Sequence, residues 1–319
     1  MRSIKIIKII SEIGAGTRGS SLGFDALRVV SYKLKNDFFK RYSIENVEDQ
    51  NHLLLEETDT PSARYIEGMY KVYQAQSKKI KDCLEEGGFP LVLAADHATA
   101  GGTIAGIKMQ YPEKRLGLIW IDAHSDIHSP YTSPSGNVHG MPVATAINED
   151  NKENKIREVE EKAIQYWDSL KNMGGIAPKV KPEDVVYFGV RDIEDAEQAL
   201  MEKNKIKNFT VDSCRQNGFV ESTKLALEQL SQCDLIYISF DVDSMDSEKV
   251  SDGTGTPVPN GFLPEEVNQI IETTFSSKKV VCFEMVEINP ILDSAGNKMA
   301  ETAFDILIKT SEHIEKYLG

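Results

Sequence analysis

The chain has 319 residues, of which 40% are hydrophobic and 27% are charged, a composition typical of a globular protein. Its 50 acidic and 36 basic residues give a formal net charge of −14, which argues against nucleic acid as a partner because no basic field exists to release phosphate counterions. No apolar run is long enough to span a bilayer, so we expect no membrane partner and a cytoplasmic protein.

Short β-branched runs alternate with longer helical stretches along the chain. Strands are predicted at residues 4–10, 52–56, 91–95, 116–122, 185–190, 206–211, 235–241 and 280–288. Helices are predicted at residues 63–86, 221–230, 263–275 and 301–318. Several strands are apolar on both faces, which is typical of parallel strands covered by helices on each side. The sequence therefore predicts the α/β class, with one domain over residues 1–319, three layers (α/β/α) and a mostly parallel sheet of about eight strands.

Three loops and one charged run stand out between these elements. Residues 125–142 and 244–262 are rich in Gly, Ser and Pro and directly follow predicted strands, where open α/β sheets bind ligands. Residues 11–22 have a similar composition. Residues 148–162 are predicted to be a solvated helix start or a surface insertion without a function. The widely spaced cysteines, which form no CxxC pair, are expected to be buried in a reducing compartment: Cys83, Cys214, Cys233 and Cys282.

Side chains that can bind metal ions collect where four predicted strands end. They are Asp96 and His97 in AADHA, Asp122, His124 and Asp126 in DAHSD, Asp241, Asp243 and Asp246 in SFDVDSMD, and Glu284 and Glu287 in FEMVEINP. Strand residues two apart point the same way, so the side chains of DAHSD can converge, as can those of DVD. Carboxylates crowded at an apolar strand end repel each other, and divalent cations remove that repulsion.

The converging residues have the composition of a site for two hard metal ions. Together with His97, they provide four carboxylates and two imidazoles. The four carboxylates formally balance two divalent ions, whereas a structural zinc site would prefer thiolates. The alternative, that all are solvated turn residues, leaves unexplained why three clusters each end a separate apolar strand. Asp96 and Asp246 are off phase and are expected to orient ligands or stabilise turns. His52 and His313 are expected to be surface or packing residues.

This motif set resembles the ureohydrolase family, which includes arginase, agmatinase and formimidoylglutamase, over roughly residues 91–290. The resemblance implies an arginase-like fold, two Mn²⁺ per subunit and a homotrimer or homohexamer. One ion would be bound by His97, Asp122, Asp126 and Asp241. The other would be bound by Asp122, His124, Asp241 and Asp243, so that Asp122 and Asp241 bridge the two.

Within that family, SPSGNVHGMPVA (133–144) is most similar to the loop of arginases. The similarity implies that Ser135 and Asn137 contact the substrate α-carboxylate and that His139 shuttles a proton. RDIEDAE (191–197), with Asp192 and Glu194, resembles the segment that meets the α-amino group. GTGTP (253–257), which contains Thr256, and EINP (287–290) also match, and Glu287 would meet the guanidinium.

The chain also departs from the arginase pattern at several positions. AADHA replaces the usual GGDHS, and one extra residue lies between Asp243 and GTGTP, where Asp246-Ser247 replaces the usual Asp-Pro. His128 occupies a substrate-binding position that is commonly Asn, and Glu194 stands where an Asp is expected. Because both fall at the amino-acid end of the substrate, they bear on substrate specificity more than on hydrolysis.

The resemblance implies hydrolysis of L-arginine to L-ornithine and urea by a metal-bridging hydroxide. His139 would protonate the leaving amine, Glu287 would hold the guanidinium, and Asp126 would accept a hydrogen bond from the hydroxide. The nearest alternatives are agmatinase, guanidinobutyrase and formimidoylglutamase, although the Ser-Gly-Asn loop favours a substrate with an α-carboxylate. A metal-dependent deacetylase uses fewer carboxylates and one zinc, and a non-catalytic relative usually loses ligands, whereas all six positions are filled here.

Overall fold

The computed structural model describes residues 3–318, so Met1, Arg2 and Gly319 of the predicted 1–319 domain lie outside it. One eight-stranded sheet has the order β2-β1-β3-β8-β7-β4-β5-β6, and all neighbouring strands are parallel. The strands are β1 (Ile4–Ile9), β2 (Ser43–Asn46), β3 (Phe89–Ala94), β4 (Leu116–Ile121), β5 (Val185–Phe188), β6 (Lys207–Phe209), β7 (Leu235–Asp241) and β8 (Val280–Val286). The predicted α/β class and the parallel sheet of about eight strands are confirmed.

Helices cover both faces of the sheet. They are α1 (Gly23–Lys33), α2 (Phe38–Arg41), α3 (Ile66–Glu85), α4 (Ala100–Gln110), α5 (Pro142–Ile147), α6 (Glu161–Lys171), α7 (Asp195–Asn204), α8 (Val211–Asn217), α9 (Phe219–Gln229), α10 (Pro264–Ser276) and α11 (Lys298–Leu318). One buried apolar cluster joins the sheet to α1, α2 and α8–α11, and a second joins its other face to α3–α7. These two clusters produce the predicted three layers.

The strand predicted at residues 52–56 is wrong. Residues 52–55 belong to a 3₁₀ turn at Asn51–Leu55, Glu56 follows that turn, and Leu55 is 90% exposed. The strand at this edge of the sheet is β2, which pairs with β1. All four residues of β2 are exposed or half-buried, so its sequence SIEN lacks the apolar signal by which the other strands are recognised. Local hydrophobicity therefore pointed to residues 52–56, whereas the edge strand is the polar segment Ser43–Asn46.

The ends of the long helices follow the predicted signals. Helix α3 ends at Glu85, and Gly87, with a φ of +76°, donates its backbone N–H to the Leu84 carbonyl at 3.0 Å. Helix α6 begins at Glu161, inside the charged run 148–162, as predicted. That run is anchored as well as solvated, because half-buried Asp150 accepts a hydrogen bond from the Trp167 indole at 2.8 Å.

The strand order explains why distant segments meet. Strands β3, β8, β7 and β4 are adjacent, so the loops at their carboxyl ends lie side by side. Helix α4, which follows the loop after β3, packs closely on α3: a Cβ at Gly106 would lie 2.6 Å from the Ser77 carbonyl oxygen. All four cysteines are buried and free. Among the described residues, no helix is long and apolar enough to cross a membrane.

Candidate metal centre and active site

The loop after β4 presents Asp122, His124 and Asp126. The Trp120 indole donates to Asp122 Oδ2 at 2.9 Å, and the His124 backbone N–H donates to Asp122 Oδ1 at 2.7 Å. Asp126 has a φ of +50°, and its carbonyl accepts from the Val143 backbone N–H at 3.0 Å. Since β4 ends at Ile121, the convergence predicted from strand alternation is produced by a folded loop instead.

The loop after β7 presents Asp241 and Asp243. Asp241 ends the strand, and its Oδ1 accepts a hydrogen bond from the Asp243 backbone N–H at 2.8 Å. Asp243 Oδ1 accepts from the Ala123 backbone N–H at 3.2 Å, which joins this loop to the one after β4. The Thr256 hydroxyl donates to Asp243 Oδ2 at 3.0 Å. Both carboxylates are therefore fixed by backbone and side-chain donors.

His97, after β3, completes the cluster. Its Nδ1 lies 3.0 Å from Asp122 Oδ2, 2.9 Å from Asp126 Oδ2 and 3.2 Å from Asp241 Oδ2. Its Nε2 lies 2.7 Å from the Ser239 hydroxyl. The ring stacks on the Trp120 indole with centroids 4.2 Å apart, so its plane is fixed.

The ligand atoms form two overlapping groups that could each hold a metal ion. One group consists of His97, Asp122 and Asp241, and the other of Asp122, His124 and Asp243; within each, the ligand atoms lie within 4.8 Å of one another. In the second group, His124 Nδ1 is 3.0 Å from Asp243 Oδ2. His97 Nδ1 is buried without a hydrogen-bond partner while carboxylates surround it, which fits a lone pair directed at a cation.

Protonation of the cluster reflects crowded buried charges. Burial, followed by the charges of Asp243 and Asp122, raises the pKa of Asp241 well above its usual value. Burial and the charge of Asp122 raise the pKa of Asp126 to about 6. Burial also opposes ionisation of Asp122, but hydrogen bonds from His124 and His97 outweigh it and lower the Asp122 pKa. Without cations, crowding favours protonation of some of these carboxylates. Bound cations would take the place of those protons and stabilise the ionised carboxylates.

A cavity of about 200 Å³ opens onto this cluster. All of the predicted site residues line it except Asp122 and Glu287, which are buried behind its wall. Ser135 and Asn137 lie on its rim, where the Asn137 backbone N–H donates to the Ser135 hydroxyl at 3.1 Å. Asp192 Oδ2 is 3.6 Å from His124 Nε2, so Asp192 stands beside a candidate ligand as well as the cavity.

His139 and Glu287 form a pair beside the metal cluster. His139 Nδ1 lies 3.4 Å from Glu287 Oε1, which also accepts the His97 backbone N–H at 2.9 Å. Burial lowers the pKa of His139, but the hydrogen bond and charge of Glu287 reverse this, and the net shift is upward. Asp96 accepts from the Gly14 backbone N–H at 2.8 Å and so ties the loop 11–22 to the site. Asp96 also accepts from the Ala98 backbone N–H at 3.1 Å, so of the two roles expected from the sequence, orienting a ligand or stabilising a turn, its contacts are those of the turn role.

The comparisons with known proteins agree with this geometry. A sequence profile described as Arginase family matches residues 2–311. An arginase from Bacillus subtilis (strain 168) is 31% identical over 316 residues, which covers 96% of each chain. The chain belongs to the arginase family. The resemblance inferred from the motifs is therefore confirmed.

Solved arginases also have the same fold as this arginase-family chain. The native structure of the Bacillus caldovelox arginase at pH 5.6 has a TM-score of 0.81 and 29% identity, covering 97% of this chain and 98% of that one. The Entamoeba histolytica arginase in complex with L-ornithine has a TM-score of 0.81 and 25% identity, with the same coverage. The arginase-like fold extends over nearly the whole chain.

Several residues that support the arginase-family site were missed in the sequence. Trp120 and Ser239 each precede a ligand candidate by two residues, and strand alternation could have placed them on the same side. Arg191 donates to the backbone carbonyls of Asp243 and Val258 at 3.1 and 2.9 Å and so fixes the loop that carries Thr256. No local pattern indicates that role, because its partners are carbonyl groups far along the chain.

Glu197 is the other residue that was missed. It is buried in the first turn of α7, where its Oε2 accepts the Glu194 backbone N–H at 3.1 Å. The spacing of Glu194 and Glu197 is that of a capping box, a signal present in RDIEDAE. Asp246, in contrast, accepts from the backbone N–H groups of Glu248 and Lys249, the turn role that was expected.

Proposed function

We propose that this arginase-family protein hydrolyses the guanidinium group of L-arginine to L-ornithine and urea with two Mn²⁺ per subunit. The observation that carries the proposal is the pair of ligand groups that share Asp122 and whose other members line a cavity. The two groups share a carboxylate, as expected for ions that act on one substrate atom. The names of the full-length relatives support arginine as the substrate.

In this proposal the ligand sets are those implied by the resemblance. His97, Asp122, Asp126 and Asp241 would bind one ion, and His124 and Asp243 would join Asp122 and Asp241 at the other. The contacts of His97 Nδ1 with three carboxylates support the first set, and the 3.0 Å separation of His124 Nδ1 and Asp243 Oδ2 supports the second. When bound, the ions supply the acidity that makes water nucleophilic near neutral pH.

Glu287 is suited to bind the guanidinium. Its Oε1 is engaged by His97 and His139, whereas its Oε2 accepts no hydrogen bond from the residues that the structure describes. That free oxygen would accept a charge-assisted hydrogen bond from a substrate N–H. Its φ of +67° is rare outside glycine, and its side chain contacts the His97 backbone N–H and the His139 ring.

His139 is suited to protonate the leaving amine. Its Nδ1 faces Glu287, and its backbone N–H donates to the Gly14 carbonyl at 3.1 Å, so the ring is held at the cavity wall. Nε2 remains for exchange with the substrate. The carboxylate of Glu287 stabilises the protonated ring, which must carry the proton before it donates it.

The proposal takes residues 1–319 as one arginase-like metallohydrolase domain that assembles into a homotrimer or homohexamer in the cytoplasm. The buried, free cysteines support a reducing compartment. Light scattering of the purified protein tests the assembly.

The decisive experiment measures urea release by the Mn²⁺-loaded protein from L-arginine, agmatine and 4-guanidinobutyrate, and formamide release from N-formimidoylglutamate. We expect L-arginine to have the highest kcat/KM and chelation to abolish activity. Faster turnover of another substrate would assign the protein to that ureohydrolase activity. Full activity without metal would refute the two-ion mechanism.

A further inference from the structure

The two positions at which the chain departs from the arginase pattern at the amino-acid end contact each other. His128 Nε2 lies 3.2 Å from Glu194 Oε2, although the residues belong to loops after different strands. His128 is 7% exposed, whereas the side chain of Glu194 is 54% exposed. A buried imidazole therefore holds the end of a carboxylate that would otherwise extend freely into solvent.

We infer that His128 positions Glu194 to receive the α-ammonium group of the substrate, and that His128 itself binds no α-carboxylate. This inference rests on the proposed function. It assigns His128 to the amino side of the substrate, whereas the position it occupies had implied a direct substrate contact. Recognition of the α-carboxylate is then left to the loop of Ser135 and Asn137.

The contacts of His128 leave the ring no free nitrogen for a ligand. Nδ1 lies 3.0 Å from the Thr132 hydroxyl, and Nε2 faces Glu194 at 3.2 Å and Glu197 at 3.3 Å. The His128 backbone N–H donates to the Gly140 carbonyl at 3.0 Å. Carboxylates only accept hydrogen bonds, so Nε2 carries a proton toward Glu194 and Glu197, while Nδ1 pairs with the Thr132 hydroxyl as donor or acceptor.

Glu197 is also fully engaged, and this makes it part of the support. Its Oε1 accepts from the Ser125 hydroxyl at 2.6 Å, and its Oε2 accepts from the Glu194 backbone N–H at 3.1 Å and faces His128. Glu197 is 5% exposed. It therefore joins the loop after β4 to the start of α7 and fixes the imidazole between them.

Glu194 is the exposed member of this cluster, whereas His128 and Glu197 are buried. Its carboxylate contacts His128 through Oε2, and its side chain remains 54% exposed. Glu194 lines the cavity, so a substrate ammonium can approach it. An aspartate would retract the carboxylate by about 1.5 Å, one carbon–carbon bond, and break its contact with His128. The contact therefore requires both the histidine at position 128 and the longer side chain of glutamate at position 194.

The test compares Glu194→Asp, His128→Asn and the double variant on three substrates, with all proteins loaded with Mn²⁺. L-Arginine has both α-groups, agmatine keeps the amine without the carboxylate, and 5-guanidinopentanoate keeps the carboxylate without the amine. We expect each single variant to raise KM for L-arginine and agmatine roughly tenfold or more, with kcat nearly unchanged. Turnover of 5-guanidinopentanoate should change less than twofold.

The double variant measures whether the two residues act as a unit. Either single change already breaks the contact between His128 and Glu194. We therefore expect the KM of the double variant for L-arginine to be no higher than the higher of the two single-variant KM values. Asp195→Asn is the matched control: it removes an exposed negative charge next to Glu194 and should change KM less than twofold. Manganese content and circular dichroism establish that each variant is folded and loaded.

Two results would overturn the inference. Equal losses for 5-guanidinopentanoate and L-arginine in His128→Asn would make His128 a carboxylate-binding residue, and multiplicative losses in the double variant would show that the residues act separately. Binding measurements that need no turnover separate this inference from the proposed function. The wild type should bind L-ornithine, which has an α-amino group, more tightly than 5-aminopentanoate, which lacks it. Both single variants should lose that preference. Absence of urea release, in contrast, would refute only the proposed function.

Discussion

Replacing Ser239 with alanine removes the hydroxyl that faces Nε2 of His97 at 2.7 Å. This hydroxyl belongs to a buried chain of polar contacts. The Tyr237 hydroxyl donates a hydrogen bond to Glu284 Oε2 at 2.6 Å and lies 3.3 Å from Ser239 Oγ. When Nε2 carries the ring proton and donates it to Ser239, Nδ1 keeps the lone pair that faces Asp122, Asp126 and Asp241. The serine thus sets the tautomer that a metal ligand needs.

The size of the expected effect follows from that single hydrogen bond. Loss of an outer partner of a metal ligand typically weakens metal binding roughly 10- to 100-fold, or about 1.4–2.7 kcal/mol. We expect this loss for one of the two ions, because His97 belongs to only one of the ligand groups. Since Ser239 does not line the cavity, kcat at saturating Mn²⁺ should fall by less than about threefold.

The assay removes metal with a chelator and then measures bound Mn²⁺ and urea release as Mn²⁺ is added back. Ser222→Ala is the matched control because Ser222, on α9, is also buried but belongs to no part of the site. It should leave both Mn²⁺ affinities unchanged. If Ser239→Ala binds both ions as tightly as the wild type, the tautomer reasoning is refuted.

Three further predictions concern the shuttle, the ions and a buried lysine. His139→Ala should lower kcat roughly 10²- to 10⁴-fold with bound Mn²⁺ unchanged; loss of Mn²⁺ instead would make His139 a ligand. Mn²⁺ at 100 times its dissociation constant should stabilise the fold by about 2.7 kcal/mol per site, measured by denaturation with and without chelator; equal stabilities would contradict the cluster as a metal site. Burial lowers the pKa of Lys179 from 10.5 to about 7. Between these values the unfolded chain binds a proton that the folded chain does not, so stability relative to Lys179→Met should rise with pH, and a constant difference would refute this.

The candidate metal cluster could be predicted from the sequence because its ligand residues lie close together in short segments. Each of AADHA, DAHSD and DVD follows an apolar strand, and parallel strands place their carboxyl ends at one edge. The strand at the sheet edge could not be predicted in this way. The residues of β2 are held by backbone pairing with β1, and their side chains carry no buried apolar pattern.

The sequence by itself determined the α/β class, the ligand types and the segments that carry them, because periodicity and residue chemistry are local properties. Only the tertiary structure decided which hydrogen-bonding groups are already occupied. His97 and Ser239 are 142 residues apart, and His128 meets Glu194 across two loops. Whether a side chain such as His128 is free to bind a substrate depends on what surrounds it in space, and no spacing along the chain encodes that.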